Sequence, residues 1–173
     1  MKAKYTKKQI EEFLRESNAI EGVHNEEMFQ DALKAWRYLA RQKELTPEVV
    51  LETHRLLMVN SKLEEKYIGK IRDCDVFIGG RAGLSPSLIR GALSSWLKDV
   101  ETSVRIPGED GKHIRLDHIE FERIHPWVDG NGRTGRMFMN WARMQAELPI
   151  LIIHGDIMTG GNEQREYYQW FKE

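Results

Sequence analysis

A single cysteine, Cys74, stands among 173 residues, which excludes an intramolecular disulfide and any cysteine-rich zinc site and suits a reducing compartment. The simplest expectation for it is a half-buried thiol. Long apolar runs are missing as well. No segment approaches the roughly 18 consecutive apolar residues of a membrane helix, and the opening MKAKYTKKQIEEF has no apolar stretch suited to a signal peptide. A soluble, cytoplasmic protein without a membrane partner is therefore expected. Neither sign of charge dominates: 26 Lys plus Arg against 27 Asp plus Glu leave a formal net charge of -1. With no basic run to track a phosphate backbone, no nucleic-acid partner is expected. Repeats and low-complexity tracts are absent, and the length suits a single domain over residues 1–173.

What the chain does contain is helical periodicity. Thr6 and Gln9 form a capping-box pair ahead of Ile10, Phe13 and Leu14, predicting a helix that ends near Ser17. A separate short turn, SNAIEG, follows and stops at Gly22. Asn25 can cap a long helix with Met28, Phe29, Ala32, Leu33, Trp36, Leu39 and Ala40 on one face. Thr46-Pro47 and Ser85-Pro86 each read as a cap followed by proline at the first helical position. The first opens a helix with Val50, His54, Leu57 and Met58 on a face, the second one with Leu88, Ile89, Ala92, Leu93, Trp96, Leu97 and Val100. Between them, glycines at 69, 79, 80 and 83 surround the β-favouring run Val76, Phe77, Ile78, which predicts a small hairpin or flap. From Glu101 to Arg115 the pattern lapses into an expected loop, after which Asp117 and Glu120 read as the start of a helix carrying Ile119, Phe121 and Ile124. A last long helix places Met137, Phe138, Trp141, Met144 and Leu148 on one side. The fold class is thus all-α with a small β-hairpin.

Chemistry concentrates in His125 to Arg136, HPWVDGNGRTGR. Proline disfavours helical geometry in its predecessor, so one helix should end at His125. The next begins after Gly130, Asn131 and Gly132, whose small residues let a ligand reach the unpaired first amides of that helix. Those amides and the helix dipole favour an anion. Arg133 and Arg136, three positions apart, add guanidinium forks that match phosphate oxygens. Asp129 beside such a nest is understandable if a cation intervenes, which makes it a candidate Mg²⁺ ligand. His125, near neutrality in its ordinary pKa, can accept a proton from an attacking hydroxyl. A Walker A loop is excluded, because GNGRTGR lacks the glycine gap and the Lys-Ser/Thr pair. His113, His118 and His125 are not spaced as helical zinc pairs.

The same twelve residues resemble the Fic-family signature HPFx(D/E)GNGRxxR at every fixed position but one, where Trp127 replaces Phe. GKIR at Gly69 to Arg72 ahead of Val76, Phe77 and Ile78 resembles the family's flap, and REYYQWF its closing helix. The resemblance implies a Fic-type helical bundle and a protein adenylyltransferase: a Ser, Thr or Tyr hydroxyl of a target protein attacks the α-phosphate of ATP, with Mg²⁺ as cofactor. By the same resemblance His125 is the general base and Asp129 holds the metal. Gly130, Asn131 and Gly132 form the anion hole, and Arg133 and Arg136 hold the distal phosphates. Val76, Phe77 and Ile78 dock the target by strand addition. Tyr168 is a candidate adenine contact, with a core position as the alternative.

Ser17 to Gly22 resembles the family's inhibitory motif (S/T)xxxE(G/N), within an N-terminal region about residues 6–22. In such proteins the glutamate, here Glu21, pairs with the second arginine, here Arg136, and keeps the γ-phosphate from seating; Ser17 and Gly22 complete the motif. In some relatives the same glutamate supports removal of AMP. Family members usually continue beyond the point where this sequence ends, at Glu173, into helical sequence that lines the adenine pocket. Two alternatives stay open: a catalytically quiet nucleotide-binding or interaction module, and transfer of another phosphate-containing group. The sequence also leaves a homodimer open.

Overall fold

A computed structural model describes residues 5–155 and 162–172. Its helices are α1 (Lys7–Ile20), α2 (Glu26–Leu39), α3 (Pro47–Met58), α4 (Pro86–Arg105), α5 (Lys112–Ile124), α6 (Asn131–Gln145) and α7 (Asn162–Gln169), with strands β1 (Phe77–Ile78) and β2 (Arg81–Ala82) between α3 and α4. The helical fold with one small hairpin agrees with the sequence expectation. No described helix is long and apolar enough to cross a membrane.

Helix α6 is the axis of the molecule. It packs against α1, α3, α4 and α5, and thirteen of its residues are buried, including Arg133, Arg136, Asn140 and Arg143. A helix buried on every face must satisfy its polar groups internally. Asn140 does so with the segment that follows, donating to the Leu151 carbonyl at 2.9 Å and accepting from its N–H at 2.8 Å. The aromatic core lies beside the start of α6. Phe121 has ring centroids 5.0 Å from Trp96, 5.6 Å from Trp127 and 5.4 Å from Phe138. Each such buried ring contributes about 1.5–3 kcal/mol through area removed from water.

Helix starts follow the caps foreseen at Thr6, Asn25 and Thr46. Thr6 and Gln9 make the reciprocal capping box, and Asn25 and Thr46 accept from the N–H groups of Met28 and Val49. Several boundaries differ from expectation. α1 does not stop at Ser17 but continues through the inhibitory-type motif to Ile20, because Phe13, Leu14, Ser17 and Ile20 form one continuous buried stripe; Gly22, at φ 68°, then terminates it. The loop expected over Glu101 to Arg115 shrinks to 106–111. Val100 and Ser103 extend the buried face of α4, and α5 begins at Lys112, five residues before Asp117, after the left-handed Gly111. Asp117 therefore opens nothing; its carbonyl accepts from the Trp96 indole at 2.8 Å. Ser85 makes no capping bond, its hydroxyl lying instead 3.1 Å from that of Ser87. Leu148 lies beyond the end of α6, and Leu88 is exposed rather than on the buried face of α4. Cys74, expected half-buried, is exposed.

In the hairpin Phe77 pairs with Ala82 and Ile78 with Arg81 across a two-residue Gly79-Gly80 turn. Val76 lies outside the strand proper, although its carbonyl accepts the Gly83 N–H at 2.8 Å and lengthens the ladder. At the other end, His154 Nδ1 lies 2.7 Å from Glu163 of α7 and Gly155 donates to Glu16 of α1 at 2.9 Å. The chain segments flanking the core are thereby tied to each other.

Candidate active site

Two helices meet end to start at the candidate site. α5 finishes at His125, whose backbone adopts φ 48°, ψ 64°, a left-handed conformation that costs a residue with a β-carbon about 1–3 kcal/mol. Three contacts enforce it. The His125 N–H donates to the Phe121 carbonyl at 3.0 Å, its carbonyl accepts from Arg72 Nε at 2.8 Å, and the next carbonyl, of Pro126, accepts the Arg72 N–H at 2.9 Å. His125 Nδ1 lies 3.2 Å from the Glu122 carbonyl. A carbonyl only accepts, so Nδ1 carries the hydrogen and Nε2 keeps its lone pair. Burial holds this imidazole below the ordinary histidine value, so it is neutral and basic near pH 7.

The loop after it is closed by Asn131, which accepts the Trp127 N–H at 3.0 Å and donates to the Trp127 carbonyl at 2.8 Å. Its side chain is thus committed to shaping the loop, and what Asn131 offers a ligand is its backbone N–H. Thr134 locks the same turn by donating to the Gly130 carbonyl at 2.7 Å. Gly130 sits at φ 83°, and a β-carbon there would lie 2.8 Å from Met58 Sδ, so both conformation and space require glycine. Gly132 has a different reason: a β-carbon would overlap Glu21 Oε1 and lie 3.0 Å from Arg136 Nη1.

The two arginines are buried alike but partnered differently. Arg136 donates Nε to the Ser17 hydroxyl at 2.9 Å, Nη2 to the Ser17 carbonyl at 2.9 Å and to Glu21 Oε1 at 2.8 Å, and Nη1 to the Tyr167 hydroxyl at 3.1 Å. Although burial opposes it, Tyr167 and Glu21 hold this guanidinium firmly charged. Among the described residues, Arg133 has only Met58 Sδ at 3.3 Å and Asp129 Oδ2 at 3.7 Å. Its Nε and Nη1 are buried without a protein acceptor among the described residues, and burial lowers its pKa. A buried cation with idle donors is costly unless an anion joins it. Asp129, whose side chain is 62% exposed, accepts the Gly130 N–H at 2.6 Å and stands at the mouth of the loop.

Sequence reasoning missed four groups. His54, on the apolar face of α3, accepts the Gly69 N–H through Nδ1 at 2.9 Å and donates from Nε2 to the Asp129 carbonyl at 2.9 Å, while its ring stacks on Trp127 at 4.2 Å. A histidine inside a leucine-valine stripe was the available signal. Tyr167, not Tyr168, is the buried member of the tyrosine pair; its hydroxyl bridges Arg136 and His118 Nε2, the latter at 2.9 Å. Tyr168 is 45% exposed; with one short helix and two adjacent tyrosines, periodicity alone could not choose between them. Arg72 lay in a segment read only as flap. Glu122 carried no signal at all.

Glu122 lies between His125 and α6, with Oε2 4.0 Å from His125 Nδ1 and Oε1 buried without a partner among the described residues. Burial pushes its carboxyl up to about 8 from the ordinary 4.5. The unfolded chain loses this proton first, so Glu122 contributes full stability below its unfolded pKa and progressively less as pH rises toward the folded value. Glu122→Gln is expected to flatten that decline. Urea midpoints at pH 5 and pH 8 test it, and an unchanged pH dependence in the variant refutes the assignment.

Comparison with known proteins accords with this arrangement. The Fic/DOC family model matches residues 44–142. Protein adenylyltransferase fic-1 of Caenorhabditis briggsae is 31% identical over 139 residues, covering 75% of this chain. Protein adenylyltransferase Fic of Drosophila grimshawi is 30% identical over 156 residues, covering 86%. The chain spans 26% and 30% of the lengths of those two relatives. Among solved structures, a Fic domain containing signaling protein from Bacteroides thetaiotaomicron superposes with a TM-score of 0.75 at 18% identity, over 94% of this chain and 70% of its own. Fic-1 from Caenorhabditis elegans does so with 0.74 at 18%, over 96% and 60%. These two structures share the fold. With a family match over more than half its length, a helical fold in common and the HPWVDGNGRTGR loop at the junction of α5 and α6, the chain belongs to the Fic/DOC family.

Proposed function

We propose that the chain is a protein adenylyltransferase, moving AMP from ATP onto a Ser, Thr or Tyr hydroxyl of a target protein. The observation that carries this reading is Arg133, buried at the start of α6 with Nε and Nη1 lacking protein acceptors among the described residues, beside the first amides of that helix and a neutral His125. A polyphosphate supplies the oxygens such a site needs. Relatives named as protein adenylyltransferases support AMP as the transferred group. The acceptor oxygen bonds to the α-phosphorus, its proton passes to His125 Nε2, and the bond to the bridging oxygen breaks to release pyrophosphate. Arg133 and Arg136 orient the distal phosphates, so the reaction is one of positioning and charge stabilisation.

Asp129 is the residue that would hold Mg²⁺. Its carboxylate, 62% exposed at the mouth of the loop, is the hard oxygen donor that such an ion would take. When bound, it neutralises phosphate charge. The flap would align the target by main-chain pairing, with Phe77, 79% exposed, at its edge. In the same proposal Glu21 restrains the enzyme from α1: its carboxylate covers Gly132 and engages Arg136, so an incoming phosphate must displace one anion to reach another's place. A cytoplasmic location completes the reading, consistent with one exposed thiol at Cys74.

The test is incubation with Mg²⁺ and ATP labelled at the α or the γ position, read as label fixed to protein, the chain itself serving as acceptor. Label retained from the α position alone is expected. Retention from γ would instead mean phosphate transfer, and ATP binding with neither label fixed would identify a binding module.

A further inference from the structure

Arg72 is 2% exposed, yet no carboxylate stands within salt-bridge distance of its guanidinium among the described residues. Its three nitrogens are spent on carbonyls: Nε on His125 at 2.8 Å, Nη1 on Cys74 at 2.7 Å and Nη2 on Leu84 at 2.6 Å. Its own N–H adds the Pro126 carbonyl at 2.9 Å. Cys74 and Leu84 are the two feet of the hairpin, one just before β1 and the other just after β2. His125 is the proposed base. One rigid, planar group thus joins both legs of the flap to the residue that receives the proton. Burial lowers the pKa of this cation, with Cys74 and Asp75 opposing that fall through charge, and every hydrogen bond the guanidinium makes goes to a carbonyl dipole. A hairpin needing only an anchor could take an apolar plug at less cost. A fork that meets three carbonyls in fixed directions supplies something a plug lacks, a fixed distance between flap and base.

We infer that Arg72 is a positioning residue that sets the register between the target-docking flap and His125, and so selects a protein hydroxyl over water as the acceptor of AMP. The inference rests on the adenylyltransferase reading above. Water needs no flap. In the competing reaction its oxygen bonds to the α-phosphorus, the bond to the bridging oxygen breaks, pyrophosphate leaves, the proton passes to His125, and free AMP results. A loosened joint lets the docked hydroxyl drift from the line of attack, where an error of about 1 Å can cost a hundredfold, while water still finds its place.

The experiment measures both products in one reaction: α-labelled ATP and Mg²⁺ with the natural chain, Glu21→Gly, and Arg72→Lys and Gly83→Ala each placed in both backgrounds. Lysine keeps the charge but cannot span three carbonyls. Alanine at Gly83 would put a β-carbon 3.3 Å from Arg72 Nη2 and 3.0 Å from Val76 Cγ2, pressing on the joint without removing it. The readout is the ratio of protein-bound label to free AMP, which is independent of the fraction of protein folded. Arg72→Lys is expected to lower that ratio at least tenfold, on the order of the positional penalty above, and Gly83→Ala to lower it less. An unchanged ratio, with both products falling together, overturns the inference and leaves Arg72 a structural anchor. Neither product from any protein overturns the transferase reading, and this one with it.

Discussion

Glu21→Gly is expected to raise the rate of α-label incorporation roughly thirty- to a hundred-and-fortyfold. Arg136 is fully buried, but the Glu21 side chain is 38% exposed, so the pair is worth less than a wholly buried one. Between the small value of surface pairs and the larger cost of breaking buried ones, about 2–3 kcal/mol is a reasonable coupling. At about 1.4 kcal/mol per tenfold, that gives the stated range. Position matters as much as energy: the carboxylate lies over Gly132 at the mouth of the α6 amides, where it repels a second anion directly. Glycine removes the carboxylate at the C-cap of α1, where φ is -95°, a conformation any residue adopts. α1 should therefore stay helical, with its far-ultraviolet signal intact. Incorporation equal to that of the natural chain, with ATP bound equally well, would remove Glu21 from any restraining role.

The larger loss is expected from His125→Ala in the Glu21→Gly background. Taking away a general base lowers such rates by about 10²–10⁴-fold. The side chain's Nδ1–H bond to Glu122 shows the group to be held in one tautomer, which is what a base needs and a spacer does not. ATP affinity is expected to change little, because the idle donors of Arg133 and the first amides of α6 are untouched. The two measurements together, incorporation and equilibrium binding of ATP, separate a lost base from a lost site. Persisting incorporation would move the proton acceptor to another group.

Much of this was readable in the linear chain, and the reason is locality. The loop His125 to Arg136 is contiguous, so proline's effect on its predecessor, the glycines and the start of the next helix sit within one short window. Caps at Thr6, Asn25 and Thr46 are equally local. What escaped depends on contacts between distant segments. Arg72 reaches across 53 residues to the His125 carbonyl, His54 across 75 to that of Asp129, and Tyr167 back across 31 to Arg136. No periodicity records such distances. Glu122 is invisible for a related reason, since a charged residue beside an apolar stripe ordinarily lies in solvent, and only the close approach of α6 encloses it. The early ends expected for α1 and α4 share one cause: the apolar pattern lapses at Ser17 and after Val100, whereas tertiary burial of Ser17 and Ser103 carries both helices onward.

Arg136 holds acceptors from both flanks of the core, Ser17 on α1, Glu21 at its C-cap and Tyr167 on α7. Whatever phosphate engages that guanidinium must share or replace those contacts, so occupancy at the centre and docking at the periphery are thermodynamically conjugate. The reciprocity is obligatory: a ligand that loosens α1 binds more tightly whenever α1 is already loose. Under the proposed function, a macromolecule grasping either flank would therefore regulate nucleotide affinity without touching the pocket, and the nucleotide would in turn regulate its grip.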